Sequence, residues 1–455
     1  MKKPGNQFSI ALSVAGFFPE CFGGGQVYVY RLGKELLRRG HDVTIVSSAP
    51  WHGDNEEYTI ESYGYDGLTV KAISLNPRVL SLGEINSELS PVLMKGLKTL
   101  MKQLNPDLVH MNGLKAALIL TCEELNTPSV VTAHHAGFVC PAGDLLTPDE
   151  HLCEKRADPA VCIPCCSIRK TSSHTIGSLL GRLPQWLYRP IAETLNRYER
   201  IPYVGRGLMF PWLIEKRIEG QKIRLNHSRL IISPSEAMQS LLIRNGVRPD
   251  KVFVIPHGIE PLPRLPFERV NGRRVKFGYI GNVSRGKGFH ILLEALEGIE
   301  PQDFCELHIF GGAQNPWDNK FFSKCMAGYS GKTVITNHGY IPHEKLVGAF
   351  EKIDILVLPS IYFEVFGLVV LEAFSAGRPV IVSQSRGPEE IVRNGVDGFV
   401  VERNDRKALA AAMQTFVENP NLIIEMSNQI RPVKTIQQYV DGIEKIYHQL
   451  ISSKN

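Results

Sequence analysis

The chain has 455 residues, too many for one compact core and enough for two or three domains. With 43% hydrophobic and 21% charged residues, its composition excludes a largely disordered protein. The net charge of +5 favours anionic partners such as phosphates or lipid headgroups, and does not mark a nucleic-acid binder. No stretch approaches the roughly 18 consecutive apolar residues of a membrane-spanning helix.

At the N-terminus, Lys2, Lys3 and the apolar run Phe8 to Phe18 imitate a signal peptide. Pro19, Glu20 and then three glycines follow, leading into a helical pattern without a small-x-small cleavage site. The run therefore reads as a first buried strand. A cytoplasmic location is expected, at the inner face of the membrane if a membrane is touched. The nine cysteines are then reduced thiols or metal ligands rather than disulfides. The turn after this strand, Phe22-Gly23-Gly24-Gly25-Gln26, opens the helical pattern Val27–Arg39. Glycines such as Gly24 and Gly25 let a backbone approach a ligand, and helix-start amides attract anions. The turn matches neither the Gly-x-Gly-x-x-Gly fingerprint nor a P-loop.

Further strands are predicted at Asp42–Ser47, Thr69–Leu75, Asp107–Met111 and Ser129–Ala133. Cys140, Cys153, Cys162, Cys165 and Cys166 then crowd one stretch. The Cys162-x-x-Cys165 spacing is half of a usual zinc site, and Cys140 and Cys153 could complete a structural four-thiolate centre, with His151 another candidate ligand. From Ser167 to about Asn226 the strand–helix rhythm is lost. Basic residues such as Arg169, Lys170, Arg182, Arg189, Arg197, Arg200 and Arg217 outnumber acids there, and Trp186, Tyr188, Tyr198, Phe210 and Trp212 are interleaved. Such a mixture suits an anionic membrane surface, or a helical insertion whose aromatics are core.

Four prolines in Pro256–Pro266 mark a hinge, after which a second strand series begins. It comprises Val275–Gly281, Cys305–Gly311, Thr333–Thr336, Ile353–Leu358, Pro379–Ser383 and Gly398–Val401, interspersed with helices such as Phe289–Glu297. Continuous apolar strands between helices predict parallel sheets covered on both faces. The expected architecture is two facing, doubly wound α/β domains with ligands at the carboxyl ends of the strands, in the cleft between them. The expected division is an acceptor-binding domain over 1–260, with an irregular insertion at 137–226, and a donor domain over 261–433. A C-terminal helix over 434–455 is expected to pack back on the first domain.

Two segments of the second domain carry chemistry. Gly281-Asn282-Val283-Ser284-Arg285-Gly286-Lys287-Gly288 sets two cations at a helix start, where a departing diphosphate could be stabilised. In Ser360-Ile361-Tyr362-Phe363-Glu364-Val365-Phe366-Gly367-Leu368, an irregular loop carries Glu364 and leads into a helix bearing Glu372. Two such carboxylates can accept hydrogen bonds from two sets of hydroxyls, while the amides of Phe366, Gly367 and Leu368 donate.

The order of these elements resembles family 4 of the retaining glycosyltransferases, with the GT-B fold. The likeness covers nearly the whole chain. It rests on Gly23-Gly24-Gly25-Gln26, Arg39-Gly40-His41-Asp42, Pro106-Asp107-Leu108-Val109-His110, Ser233-Pro234-Ser235, Pro256-His257-Gly258, Lys287-Gly288, the Glu364/Glu372 pair, Gly377-Arg378-Pro379 and Asn394-Gly395-Val396-Asp397-Gly398. The resemblance implies that Glu364, with the Phe366 and Gly367 backbone, holds the transferred sugar. It implies that Glu372 binds ribose and that Lys287 neutralises the diphosphate. His134 matches a histidine near the donor sugar. Where the family has an arginine this chain has Asn282, and Arg285 is the substitute cation close by.

The implied activity is retaining transfer of a hexose-like sugar from a UDP- or GDP-sugar to a glycan or lipid-linked acceptor, in cell-surface polysaccharide or glycoconjugate synthesis. It needs no catalytic metal. A GT-B nucleotide-sugar epimerase and a non-catalytic sugar-binding module are the alternatives. The first would need extra acid/base carboxylates, and the second is disfavoured by intact Lys287, Glu364 and Glu372.

Overall fold

The computed structural model describes residues 7–21, 23–171, 175, 179, 181–196, 203–267, 274–313 and 315–452. Lys2, Lys3, Phe22, Arg197, Tyr198 and Arg200 lie outside the described residues. The chain forms two compact units, Met1–Pro256 with Ile436–Asn455, and His257–Thr435.

The first unit is built on an eight-stranded sheet, β1 (Ser9–Val14), β2 (Asp42–Ser48), β3 (Tyr58–Tyr65), β4 (Leu68–Leu75), β5 (Leu108–Met111), β6 (Ser129–Thr132), β7 (Leu230–Ser233) and β8 (Val252–Val254). Their order is β3-β4-β2-β1-β5-β6-β7-β8, parallel except for the β3–β4 hairpin. Its helices are α1 (Gly24–Arg38), α2 (Leu82–Ser87), α3 (Pro91–Leu104), α4 (Lys115–Glu124), α5 (Pro159–Thr171), α6 (Gln185–Leu195), α7 (Tyr203–His227) and α8 (Glu236–Arg244). The central strands β5 and β6 are buried at every position, as parallel strands covered on both faces must be.

Three strands were not legible in the sequence. Strand β3 is a half-exposed edge carrying Glu61, Ser62 and Gly64, so it shows no continuous apolar run. Its hairpin is closed by Asp66 and Gly67, both with positive φ (45° and 79°), the backbone a two-residue hairpin turn requires. Strands β7 and β8 have only four and three residues and follow directly on the stretch where the strand–helix rhythm is lost. Helix starts follow side-chain chemistry: Ser90 caps α3 by accepting from the Leu93 amide, and Ser235 caps α8 by accepting from Met238.

The C-terminal helix, Ile436–Ser452, belongs to this first unit. Its Tyr439, Val440, Ile443 and Tyr447 join Tyr28, Val29, Leu32 and Leu36 of α1 in one core. Polar contacts fix its register: Tyr28 and Tyr439 hydroxyls lie 2.6 Å apart, Arg39 pairs with Asp441 and Glu444, and His110 Nδ1 is 2.7 Å from the Tyr447 hydroxyl. Among the described residues, no helix is long and apolar enough to cross a membrane.

The second unit has a six-stranded parallel sheet of β9 (Val275–Ile280), β10 (Cys305–Phe310), β11 (Val334–Asn337), β12 (Ile355–Leu358), β13 (Val380–Ser383) and β14 (Gly398–Val401). Their order is β11-β10-β9-β12-β13-β14. Its helices are α9 (Phe289–Leu296), α10 (Pro316–Gly328), α11 (Leu346–Glu351), α12 (Leu368–Ser375), α13 (Arg406–Glu418) and α14 (Asn421–Gln429).

Candidate functional site

In each sheet the connections change direction beside the first strand: β1 lies between β2 and β5, and β9 between β10 and β12. Diverging loops at such a point leave a crevice at the strand carboxyl ends, the usual ligand position in an open α/β sheet. In the second unit the loops that leave β9 and β12 carry Lys287 and Glu364.

These two loops are locked together through their backbones. The amide of Ile361 donates to Gly286 O at 2.9 Å. Gly288 caps α9 with φ +70°, and a Cβ there would lie 1.8 Å from Pro359 O. Only glycine permits both that conformation and that approach. The result is an ion pair between Lys287 Nζ and Glu364 Oε1 at 2.6 Å. The same carboxylate oxygen accepts from Ser360 Oγ at 2.7 Å. The Glu364 backbone is held on both sides: its amide donates to Ser385 O, and its carbonyl accepts from Gly387, each at 2.9 Å. Glu364 is only 7% exposed, so its rotamer is set before any ligand arrives.

The Lys287 ammonium lies 5.2 Å from the centre of the Tyr362 ring. Burial works against this charge, but Glu364 and Tyr362 more than offset it and raise the Lys287 pKa above the ordinary lysine range. Burial, with Glu364 beside it, pushes the Tyr362 phenol up to about 12. Lys287 is thus a fixed cation at the start of α9.

The other predicted residues of this unit have separate environments. Gly367 caps α12 with φ +94°, and Phe366 packs with Ile259 and Leu371, with Leu368 against that cluster. Their side chains are therefore structural, while the amides of Phe366, Gly367 and Leu368 stand at a helix start with no intrahelical acceptor. Glu372 faces His343, whose Nε2 is 3.4 Å from Oε1. Asn282 is exposed, and its carbonyl accepts from the Tyr279 hydroxyl at 2.7 Å. Arg285 is also exposed, and its charge acts on the Cys325 thiol of α10.

In the first unit, Gly24 and Gly25 form the first turn of α1, and a Cβ on either would meet no described atom within 4 Å. Nothing in the described chain therefore demands glycine at these two places. His134 follows β6, with Nε2 3.4 Å from Asn112 O and its ring edge-on to Tyr28 at 5.2 Å.

Comparison with known proteins decides the family. The model for Glycosyltransferase Family 4 matches residues 22–261, more than half of the chain, and the model for Glycosyl transferases group 1 matches residues 266–433. The chain belongs to glycosyltransferase family 4. This glycosyltransferase is 25% identical over 410 residues to the glycogen synthase of Mycobacterium tuberculosis strain H37Rv, covering 88% of this chain and 84% of that one. It is 26% identical over 264 residues to the D-inositol 3-phosphate glycosyltransferase of Corynebacterium jeikeium, covering 52% and 60% respectively. Among solved structures it resembles sucrose-phosphate synthase from Thermosynechococcus elongatus, with TM-score 0.67, 19% identity and coverage of 98% and 99%. It also resembles Anabaena HepE in complex with UDP and glucose, with TM-score 0.59, 17% identity and coverage of 98% and 99%. These structural likenesses establish the GT-B fold.

The cysteine group of this family 4 enzyme was expected to hold a structural metal. All nine cysteines are free thiols. Cys162 and Cys165 lie on one turn of α5, and Cys153 follows the Leu146–Leu152 bridge, its amide donating to Leu145 O at 2.6 Å. Burial pushes the Cys162 thiol up to about 12 and the Cys165 thiol up to about 11, with Cys140 and Cys153 adding to both shifts. The four thiols are therefore neighbours. Yet among the described residues no group of three or more His, Cys, Asp or Glu is arranged to hold a metal ion. Helix hydrogen bonds and the bridge fix these backbones.

Sequence reasoning passed over Ser360, Tyr362, Ser385, Gly387 and His343, which position the two glutamates and Lys287. Ser360 and Tyr362 sat in the window around Glu364, but serine and tyrosine after a strand are too common to stand out. The bracket from Ser385 and Gly387 is made by backbone atoms and has no side-chain signal.

Proposed function

We propose that this glycosyltransferase takes a sugar from a nucleoside-diphosphate sugar, UDP- or GDP-linked, and passes it with retained configuration to a glycan or lipid-linked acceptor in cell-surface polysaccharide or glycoconjugate synthesis. The observation that carries this reading is the Lys287–Glu364 pair, half-buried and braced where the β9 and β12 loops diverge. Without ligand the two charges satisfy one another. A donor diphosphate takes over Lys287, and Glu364 then accepts hydrogen bonds from the sugar hydroxyls. Similar proteins have been solved with UDP-glucose, and with ADP and acarbose, which supports a nucleotide-linked donor.

In this reading the acceptor hydroxyl attacks the anomeric carbon on the face the phosphate leaves. The new C–O bond forms as the sugar–phosphate bond breaks, and the hydroxyl proton passes to a phosphate oxygen. Lys287 offsets the charge of the departing diphosphate, so no catalytic metal is needed, and the amides at the start of α12 help to orient the sugar. Glu372 holds the ribose hydroxyls, and His134 lies near the sugar. Gly24 and Gly25, in the first turn of α1, join the donor-binding residues in this reading.

Thermal shift with UDP, GDP and ADP tests the donor class. At least one diphosphate is expected to raise the melting temperature, and Glu372→Ala to abolish the rise. No response to any of them contradicts the reading. We also place the enzyme at the inner face of the cytoplasmic membrane as a peripheral protein. Trp186 is 76% exposed on α6, beside exposed Leu187 and Ile191, with Arg182 and Arg189 next to them. Exposed apolar and basic side chains together suit an anionic lipid surface. Sedimentation with phosphatidylglycerol vesicles should fall for Trp186→Ser, and equal sedimentation of both proteins argues against the contact.

A further inference from the structure

Lys115 is a cation where the fold has little use for one. It opens α4, directly after the turn Asn112-Gly113-Leu114, and is only 3% exposed. Its Nζ lies 3.2 Å from His135 Nε2 and 5.5 Å from the centre of the Phe138 ring. Arg224 of α7, also buried, lies over the same ring with Cζ at 5.8 Å. The carboxylate opposing them is Glu88, 3.0 Å from Arg224 Nη1 and accepting from the Ala116 amide at 3.3 Å. Two buried cations therefore face one half-exposed carboxylate.

The polar groups around them are incomplete. Arg224 Nε, Gln221 Oε1 and both side-chain amide atoms of Asn112 are buried, with no hydrogen-bond partner among the described residues. Native interiors rarely leave such atoms unpaired, and unpaired positive charge is more costly still. His135 reaches the surface, so the group can be approached from solvent. Burial first, and then Arg224, push Lys115 down to about 7, while Glu88 opposes the shift. The Lys115 charge, with burial and Arg224, holds the His135 imidazole well below its usual range. His110, buried in β5, is also held down, by burial and by Lys115. Burial leads the Lys115 and His110 shifts and the Lys115 charge leads that of His135, and neighbouring positive charge adds to all three in the same direction.

We propose that Lys115, Arg224 and His135 bind a phosphoryl group carried by the acceptor, at the carboxyl ends of β5 and β6. The donors come from three elements, α4, α7 and the loop after β6, so they suit a tetrahedral group with three oxygens better than a planar carboxylate. Its charge of about −1.5 to −2 compensates both cations, and the ten-residue α4 adds its N-terminal amides. The word acceptor rests on the glycosyl-transfer reading; the phosphoryl site itself does not.

Isothermal titration of the full chain at pH 8 with glucose 6-phosphate, inorganic phosphate and glucose tests this, in buffers of different ionisation enthalpy. The sugar phosphate should bind more tightly than inorganic phosphate, and glucose should not bind. Binding should take up a fraction of a proton, because the anion restores the Lys115 ammonium. Lys115→Met should lose at least tenfold in affinity and all of the proton uptake, while its melting temperature stays at or above that of the wild type. Arg224→Gln should also weaken binding, without removing the uptake. Equal binding by wild type and Lys115→Met, or no phosphate binding at all, overturns the site. Binding of inorganic phosphate alone overturns its assignment to the acceptor. A UDP titration run alongside reports separately on the donor site, so failure of one leaves the other measurable.

Discussion

Two lysines of this chain stand at helix starts after strands of the two sheets, and their surroundings are opposite. Lys287 is paired with Glu364 and its charge is reinforced, whereas Lys115 is buried and crowded by Arg224, and its charge is undermined. The first environment keeps a cation in place at every ordinary pH, as charge stabilisation of a leaving group requires. The second makes a cation that an incoming anion completes. The difference lies in one carboxylate: Glu364 is buried and bonded to Lys287 directly, while Glu88 is half exposed and bonded to Arg224 instead.

The largest effect should come from breaking the reinforced pair. Lys287→Ala is expected to lower kcat by about 10²- to 10³-fold, the loss typical of one preorganised charge-stabilising donor. The melting temperature should fall too, since Glu364 loses its counter-charge, but Ser360 still bonds that carboxylate and the loss should be far smaller than the loss of turnover. A parallel loss of melting temperature and activity would mean that Lys287 is structural. Next in size is Gly288→Ala. Its Cβ would meet the Pro359 carbonyl in a left-handed conformation, and neither backbone can give way cheaply. Destabilisation of roughly 2–3 kcal/mol is expected by denaturant titration. Gly24→Ala is the matched control: no described atom crowds that Cβ, so stability should hold while kcat/KM falls. Glu372→Ala should follow, weakening nucleoside diphosphate binding about tenfold to a hundredfold, as expected for lost hydrogen bonds to a charged group.

The contrast also shows what the sequence could disclose. Strand–helix alternation and the two glycine-rich turns were legible because period, length and glycine placement are local properties. Glu364 and Lys287 were legible as candidates for the same reason. Their pairing across 77 residues was not, since it depends on β9 and β12 becoming neighbours. The Lys115 group was missed outright. Residues 88, 115, 135 and 224 come from four separate elements, and a lysine opening a helix reads as solvated. Only burial turns it into a signal. The cysteine spacing carries two readings at once, because Cys162-x-x-Cys165 is half of a usual zinc site and also one ordinary helix turn.

The smallest effect concerns stability, and its sign separates the two lysines. Lys115 titrates near 7 in the folded chain, against about 10.4 when unfolded. Between these values the unfolded chain holds the extra proton, so this group makes stability rise with pH. Its destabilising contribution is complete below about 7 and disappears as pH approaches 10.4. Lys115→Met removes it, so the mutant should exceed the wild type in melting temperature by a few degrees at pH 6.5, and the gap should narrow steadily by pH 9.5. His135 opposes part of this gain at the acid end, because without Lys115 its imidazole is easier to protonate. Lys287, whose folded pKa is raised, contributes with the other sign: its stabilisation is complete below about 10.4 and is lost only as pH rises through the higher folded value. Melting curves of Lys115→Met and Lys287→Met from pH 6.5 to 9.5 should therefore converge on the wild type for the first and stay parallel to it for the second. A constant gap for Lys115→Met would show that the lysine keeps its charge in the folded chain and that Glu88 compensates it after all.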